Sequence, residues 1–428
     1  MSSWRRGVLA DEVSELEAGV SVNADDRPHG IGETGVLKTS AVSGGIFDGR
    51  ENKAIWLRER ARARVSPEAD SILVSRMNTP ALVGESAYVA DAWPELFLPD
   101  RLWQLKMRDR ERCCVRWVAH LLQSQRAKAY ISLSATGTSG SMKNLPKSRF
   151  LSLPVDWPPP EEQRRIAQIL DTLDETIRKT EQLIAKVKQV KQGLLHDLFS
   201  RGIDENGELR DPARHPEQFK DTPLGALPAA WTAGRLSEIG DVVTGRTPPS
   251  FDQSSWGDVL PFVTPVEVPG DGAVRPTERR LSASGLKYVR SLPARSILVV
   301  CIGSTIGKVG LTRWPCATNQ QINAIVCGRS HHPGFMAAAV GVHVEQLHRV
   351  AGLQAVPIVN KTQFGRMFVP IAPLPEQAEI SDRLTSVAAR AEDEQGYAEK
   401  LHLLKQGLME DLFTGRVRVT NLLDEAAA

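Results

Sequence analysis

The side chains in this sequence whose type and setting suit chemistry are amides, guanidinium groups and ammonium groups in loops rich in small residues. Asn319, Gln320 and Gln321 form one run, Arg246 and Thr247 a second, and Asn360 and Lys361 a third, with Lys308 in a glycine-rich stretch. Nearer the N-terminus the comparable candidates are Arg76, Asn78, Thr79, Lys143 and Asn144. Each lies beside a predicted strand. Cations bind phosphate, and amides and guanidinium groups bond to base edges, with Asn and Gln suited to adenine. These residues therefore form a candidate DNA-binding set. Each also has a structural reading, since Asn and Thr close turns and Arg pairs with surface carboxylates. The run RERARAR, Arg58–Arg64, reads either as a phosphate-tracking helix or as a solvated helical face.

Chemistry of turnover is missing from the sequence. An adenine methyltransferase needs an Asn/Asp-Pro-Pro-aromatic element to hold an extruded base. The strings WPPP and TPPS lack both ends of it. No GxxxxGK[ST] phosphate loop occurs; GSTIGK at 303–308 has the wrong spacing and is followed by Val309. SSWGD and ATGTSGSMKN carry glycine and serine without a nucleophile elbow. The cysteines, Cys113, Cys114, Cys301, Cys316 and Cys327, are odd in number and form no CxxC. That pattern argues against a disulfide framework and against a zinc site, and fits free thiols in a reducing cytoplasm. His331–His332 before a proline reads as a loop, so no metal site is expected.

Composition sets the class. The 428 residues exceed one ordinary domain, and 41% hydrophobic with 24% charged residues is a globular balance. No apolar run is long enough to span a membrane. Arg5 and Arg6 precede no apolar stretch, so the chain is expected to be unexported and cytoplasmic. The net charge of +2 conceals an alternation: +3 over 1–157, −2 over 158–221, +6 over 222–372 and −5 over 373–428. Basic segments suit a polyanion and acidic ones suit protein contacts.

The elements that position the candidates come from an internal repeat. KQGLLHDLFS at 191–200 recurs as KQGLMEDLFT at 405–414, identical at seven of ten positions and displaced by 214. The same displacement carries Pro159, Glu162, Gln163, Ile166 and Leu170 onto Pro373, Glu376, Gln377, Ile380 and Leu384. Both copies read as long helices started by prolines, with Glu161, Glu162 and Glu376 complementing the helix dipole. Ile166, Leu170, Leu173, Ile177, Thr180, Ile184, Val187, Lys191, Leu194 and Leu198 form a heptad seam. The second seam is Ile380, Leu384, Val387, Ala391, Glu394, Ala398, Leu401, Lys405, Leu408 and Leu412. Polar residues interrupt both at matching places, Thr180 with Glu394 and Lys191 with Lys405. A two-helix coiled coil is expected.

The preceding segments repeat more faintly. Trp4 and Leu9 match Trp231 and Leu236, residues 71–89 resemble 296–312, and 142–155 resemble 358–371. They read as mixed domains of short strands. The expected order is a first head at 1–157, a helix at 158–202, a polar link without periodicity at 203–223, a second head at 224–372, a helix at 373–415 and a tail at 416–428. A pseudo-two-fold chain suits a target with two separated half-contacts.

With these motifs in view, the sequence resembles the specificity subunits of type I restriction–modification enzymes. The likeness rests on PPPEEQRRIAQILDTLDETI, KQGLLHDLFS, HPEQFKDTPLGALPAAW, SRMNTPALVGE and the terminal PLPEQAEI…KQGLMEDLFTGRV, and covers nearly the whole chain. The first head is the less typical, starting almost directly at Trp4. The resemblance implies an α+β fold: two pseudo-repeated target-recognition domains joined by two long helices in an antiparallel coiled coil. It implies that each head reads one half of a split site in double-stranded DNA and that the helices set the gap. It implies two modification (methyltransferase) subunits and restriction (translocase and nuclease) subunits as partners. S-adenosylmethionine, ATP and Mg would then belong to those partners, with no cofactor and no catalysis in this chain. The alternative of another class is a two-headed structural adaptor that binds protein and reads no DNA.

Overall fold

The computed structural model describes residues 4–137, 142–249, 251–270, 272–352 and 356–420. The long helices run over Pro160–Arg201 and Leu374–Phe413. Contacts divide the chain into two units, Met1–Glu181 with Tyr397–Ala428, and Gln182–Gly396. The division falls inside both helices. Each unit therefore holds one head, the start of the helix that follows it and the end of the other helix.

In the first unit a four-stranded antiparallel sheet has the order Val13–Ala18, Leu102–Met107, Ser71–Ser75, Ser86–Val89. Strand residues alternate between faces. Ile72 and Val74 pack with Trp103, Leu105, Trp117 and Val118 in one core, while Leu73 packs with Leu37, Val42, Leu96 and Leu98 in another. A second sheet is Ala24–Asp25, Asn52–Ile55, Gly35–Leu37, Leu96–Phe97, its last pair parallel. The ribbon Arg5–Val8 with Pro154–Trp157 leads into the first long helix.

The second unit repeats this plan. Its sheet runs Gly240–Thr244, Ile322–Cys327, Ile297–Val300, Val309–Leu311, again wholly antiparallel. Its smaller sheet places Trp256–Val263 between Arg280–Leu281 and Ala317–Thr318, and the pair with Ala317–Thr318 is parallel. Thr232–Arg235 pairs with Phe368–Ile371 as the ribbon.

Two expectations are corrected. The matching of 142–155 to 358–371 is two residues out of register. Helix Lys147–Leu151 corresponds to Lys361–Gly365 and strand Pro154–Trp157 to Phe368–Ile371, the displacement of 214 seen in the long helices. The sequences mislead because the prolines are not equivalent: Pro154 faces Val8, whereas Pro370 faces Ala233. The stretch 203–223 is also not a plain link. Ile203 bridges to Leu209, Pro216–Gln218 forms a 3-10 turn, and Phe219–Thr222 pairs with Gly225–Pro228. Arg210 in this stretch reaches Glu376, which gives it a fixed course.

Inside each unit the helix segments pair antiparallel. In the first, Asp174 pairs with Lys405, and Glu181 lies 3.2 Å from His402. In the second, Leu198 shares a core with Ile380 and Leu384. Seam positions are buried or half-buried from Ile166 to Leu198 and from Ile380 to Leu412, between mostly exposed neighbours. Buried Thr180 donates its hydroxyl to the Thr176 carbonyl at 2.9 Å within its own turn, which removes the cost of an unpaired group in the seam.

The repeated Glu-Gln pair fastens each helix start. Gln163 accepts the Cys114 N–H at 2.9 Å and donates to the Pro158 carbonyl at 2.9 Å. Gln377 accepts the His332 N–H and donates to the Ala372 carbonyl, both at 2.7 Å. Cys114 and His332 are the N-caps of helices Val115–Gln123 and Pro333–Val342, so one amide joins two helix starts in each head. Glu162 takes two bonds from Arg418, at 2.7 and 2.8 Å, and the Trp4 indole at 3.0 Å. Glu376 takes Arg210 at 2.7 Å and the Ile203 N–H at 2.8 Å. Each carboxylate is thus met by an arginine from the segment that follows the other helix.

Burial pushes the Glu162 carboxyl upward, but Arg418 and Trp4 more than offset it and hold the group below its ordinary value of 4.5. A depressed carboxyl adds stability above its unfolded pKa, and that stability is lost as pH falls through the folded value. Glu162→Gln is expected to lower unfolding free energy at pH 7 by about 3 kcal/mol, the low end for a broken buried pair because Arg418 keeps part of its surface in water. Below pH 4.5 the variant should also lose stability less steeply than the parent. Urea titrations across pH measure both.

Candidate nucleic-acid interface

One end of each four-stranded sheet gathers the candidate residues, through the same backbone links in both heads. At this end the strands stop at Ala18 and Ser75 and start at Leu102 and Ser86, or stop at Thr244 and Val300 and start at Ile322 and Val309. The segment leaving the first strand is tied to the turn before the second: Val20 N–H to the Leu98 carbonyl at 3.2 Å, and Arg246 N–H to the Thr318 carbonyl at 2.8 Å. The turn is tied to the residue that follows the third strand: Arg76 N–H to the Arg101 carbonyl at 3.0 Å, and Cys301 N–H to the Gln321 carbonyl at 2.8 Å. That residue accepts a bond from the segment just before the short helix: Leu145 N–H to the Arg76 carbonyl at 2.8 Å, and Val359 N–H to the Cys301 carbonyl at 2.9 Å.

Side chains then decorate a shared scaffold. In the first head Asn78 pairs across a two-stranded ribbon with Lys143, and Met77 with Asn144. In the second the corresponding contact is the bridge from Ile302 to Ile358. The Asn78 amide is engaged locally, donating to the Ser75 hydroxyl at 3.2 Å and accepting the Thr79 N–H at 2.9 Å. Thr79 is exposed. Lys143 donates to the Gly137 carbonyl at 3.2 Å. The buried Asn144 Oδ1 has no partner among the described residues, and neither has the buried Nε of Arg76, whose guanidinium lies 5.6 Å from the Trp103 ring centroid.

In the second head Thr247 donates to the Gln320 Oε1 at 2.7 Å, leaving the Gln320 amide N–H groups outward on an exposed residue. Asn319 is nearly buried and closes its own turn, donating to the Gln321 Oε1 at 2.9 Å and accepting the Gln321 N–H at 3.2 Å. Arg246 and Lys361 are exposed and Lys308 is half-buried. Asn360 caps helix Lys361–Gly365, accepting the Gln363 N–H at 2.9 Å while Gln363 returns the bond to the Asn360 N–H at 3.0 Å. Its side chain is therefore occupied by the backbone.

Sequence reasoning passed over Ser21, Asp100 and Arg101. Ser21 donates to Asp100 at 2.7 Å in the place where Thr247 donates to Gln320. The signal was positional: LPDR at 98–101 precedes its strand as TNQQ at 318–321 precedes its own. The chemistry differs, since a carboxylate accepts from the cytosine amino group whereas an amide pairs with adenine. RERARAR is not a helical face of any length. It forms a 3-10 turn, Leu57–Arg62, in which Arg58 stacks 4.6 Å over Trp56 and Arg62 pairs with Glu59 at 2.5 Å and reaches the Ser21 carbonyl at 3.4 Å. Val65, at φ 62°, then redirects the chain.

Among the described residues no group of His, Cys, Asp and Glu has the geometry to hold a metal ion. Burial raises the thiols of Cys301 and Cys327 to about 11 and that of Cys316 to about 12, which keeps them protonated and unreactive. No helix of the described residues is long and apolar enough to cross a membrane.

Comparison with known proteins gives a consistent result. The family model described as the type I restriction modification DNA specificity domain matches residues 31–189 and 228–402. The MjaVIII specificity subunit of a type I restriction enzyme from Methanocaldococcus jannaschii is 23% identical over 316 residues, 71% of each chain. The HindI specificity subunit from Haemophilus influenzae is 26% identical over 256 residues, 48% of this chain and 56% of that one. Two solved structures share the fold. The S subunit of a type I system from M. genitalium has a TM-score of 0.61 at 15% identity, covering 96% of both chains. A chain from a study of complex assembly and conformational transition in the type I system has a TM-score of 0.54 at 19% identity, covering 96% of this chain and 98% of that one.

The cap assigned to Asn360 separates stability from recognition. Asn360→Ala is expected to cost about 1 kcal/mol of unfolding free energy, read in chemical denaturation, with Asn360→Ser close to the parent.

Proposed function

The chain belongs to the type I restriction modification DNA specificity family, and from that premise we propose that its two heads read the two halves of a split DNA sequence without catalysing any step. The observation that carries the proposal is the sheet edge built twice with different side chains. A common backbone holds Ser21 and Asp100 in one head and Thr247 and Gln320 in the other. Recognition of two unlike half-sites needs such an arrangement: phosphate contacts position the protein, and a few side chains at base edges specify the sequence. The basic balance of both heads supports the same reading, as does the absence of nucleotide-binding and methyltransferase strings.

S-adenosylmethionine, ATP and Mg then belong to partner subunits, two carrying the adenine methyltransferase and others the translocase and nuclease, in the cytoplasm. The long helices are the proposed dock for the methyltransferase. Leu403 and Leu404 are exposed on the second helix, and a cavity of about 1390 Å³ opens in the first unit between helix Val115–Gln123 and the helix segments of that unit. The helices are also the proposed ruler between half-sites.

Two outcomes test the reading by mapping methylation in cells that carry the cognate methyltransferase subunit. Gln320→Ala should relax one half of the recognised sequence and leave the other unchanged, at a cost of about 1–3 kcal/mol for the lost base contact. A change in both halves would contradict two independent readers. Inserting one heptad after Ile184 together with one after Ala398 preserves both seams and lengthens each helix by about 10 Å. The half-sites should stay the same while the gap between them grows by about 3 base pairs. An active variant with an unchanged gap would show that the helices are not the ruler.

A further inference from the structure

Each head holds a large apolar side chain almost wholly in water on the same connection of its fold; Leu57 and Leu133 of the first head, 86% and 89% exposed, lie elsewhere. Ile31 is 108% exposed and Phe251 is 87% exposed, each the most exposed large apolar side chain of its unit among the described residues. Ile31 lies on the connection from Val13–Ala18 to Gly35–Leu37, the strand that pairs parallel with Leu96–Phe97. Phe251 lies on the connection from Gly240–Thr244 to Trp256–Val263, which pairs parallel with Ala317–Thr318. Both connections begin at the recognition edge, with Ser21 and Thr247.

Both side chains sit on braced turns. The Glu33 N–H closes one on the Gly30 carbonyl at 3.1 Å, and the Asp252 N–H closes the other on the Pro249 carbonyl at 3.1 Å. Gly32, at φ 78°, follows Ile31 in the position where a type II turn requires a positive φ. Glu33 is gripped by Arg27 at 2.6 and 2.7 Å and accepts the Gly30 N–H at 2.7 Å. Asp252 accepts the Ser254 hydroxyl at 2.5 Å and the Ser255 hydroxyl at 2.9 Å. Neither turn depends on its apolar side chain for shape.

Cations without a carboxylate partner among the described residues border each connection. In the first head these are Arg58 on Trp56, whose N–H bonds the Asn23 carbonyl at 3.1 Å, and Arg60 and Arg64 beside it. In the second head Arg246 adjoins Thr247, and three residues separate Thr247 from Phe251, a span of at most about 14 Å. Arg279 stacks 4.4 Å over Trp256, at the end of the same connection. An exposed apolar tip on a segment bordered by unpaired cations is the pattern of side chains that enter base steps and unstack them.

We propose that Ile31 and Phe251 are wedges, one per head, each entering a base step of duplex DNA beside the half-site its head reads. The inference rests on the DNA-reading function proposed above. Opening a step weakens the stacking that opposes extrusion of a neighbouring base by a base-modifying partner.

The test uses the full chain assembled with its methyltransferase subunit, and duplexes carrying the mapped half-sites. One duplex is intact; in others a mismatch, stepped through the positions flanking the half-site, opens the stack in advance. Phe251→Ala should weaken binding to intact duplex about tenfold or more. It should bind nearly as well as the parent to the duplex mismatched at the wedge step, while Phe251→Leu keeps most of the affinity on both. With 2-aminopurine at that step, the parent should raise fluorescence and Phe251→Ala should not. Ile31→Ala should behave alike at the other half-site. Equal losses on intact and all mismatched duplexes, or no loss, would overturn the wedge. So would loss of the methyltransferase subunit with DNA binding intact. Gln320→Ala run in parallel separates the two ideas: a defect there with none in Phe251→Ala sinks the wedge alone, whereas a parent that does not discriminate the half-site sinks both.

Discussion

The carboxylate and amide at the start of each long helix, buried or half-buried, are the constraint on which the rest of the structure depends. A helix start leaves backbone donors unpaired, and a carboxylate under apolar cover is costly unless charged donors surround it. Here the two needs are met together. Gln163 and Gln377 cap a neighbouring helix of their own head, while Glu162 and Glu376 bind an arginine delivered by the segment after the opposite helix. Slippage of one helix along its partner by a single turn would carry Arg418 or Arg210 away from its carboxylate. Apolar seams tolerate such slips, and charged, hydrogen-bonded pairs at their ends do not. Register therefore comes from the ends, and the seam supplies adhesion.

Much of this frame was legible in the sequence because long helices repeat their spacing without gaps. The displacement of 214, the proline starts and both seams could be read from residue types alone. The heads were less legible. Several of their strands are short and buried at every position, so those lack the alternation of polar and apolar residues that marks a half-exposed strand. SILVS at 71–75 is buried at every position, and only the fold reveals that Leu73 faces one core while Ile72 and Val74 face another. Proline misled at 154 and 370, where similar letters occupy different register positions.

The candidate interface was legible in type and not in use. Loops rich in Asn, Gln, Thr and Arg do converge on one sheet end in each head. Sequence could not distinguish a donor facing outward from one already bonded to its own backbone. Asn319 and Asn360 sit within such local closures, whereas Gln320, between them in sequence and alike in chemistry, has no partner for its amide donors among the described residues. Asp100 was overlooked because a carboxylate repels phosphate, and only its equivalence to Gln320 gives it a place. The scaffold explains how two heads with little common sequence share a geometry: the links that shape the edge are nearly all between backbone atoms, which any side chain permits.

The division of the chain through both helices also bears on the order in which the protein can be made. The second unit, Gln182–Gly396, is continuous, and every part of its core has been synthesised before the C-terminal segment appears. The first unit is not. Its core includes Met409, Leu412, Phe413 and Val419, and Phe413 packs against Trp117. A nascent chain thus emerges with its first head open along one side, and that side stays open while the whole second unit is translated. The usual sequence of N-terminal domain before C-terminal domain is inverted: the head made first is the last to close, and its closure awaits the emergence of Met409, Leu412, Phe413 and Val419.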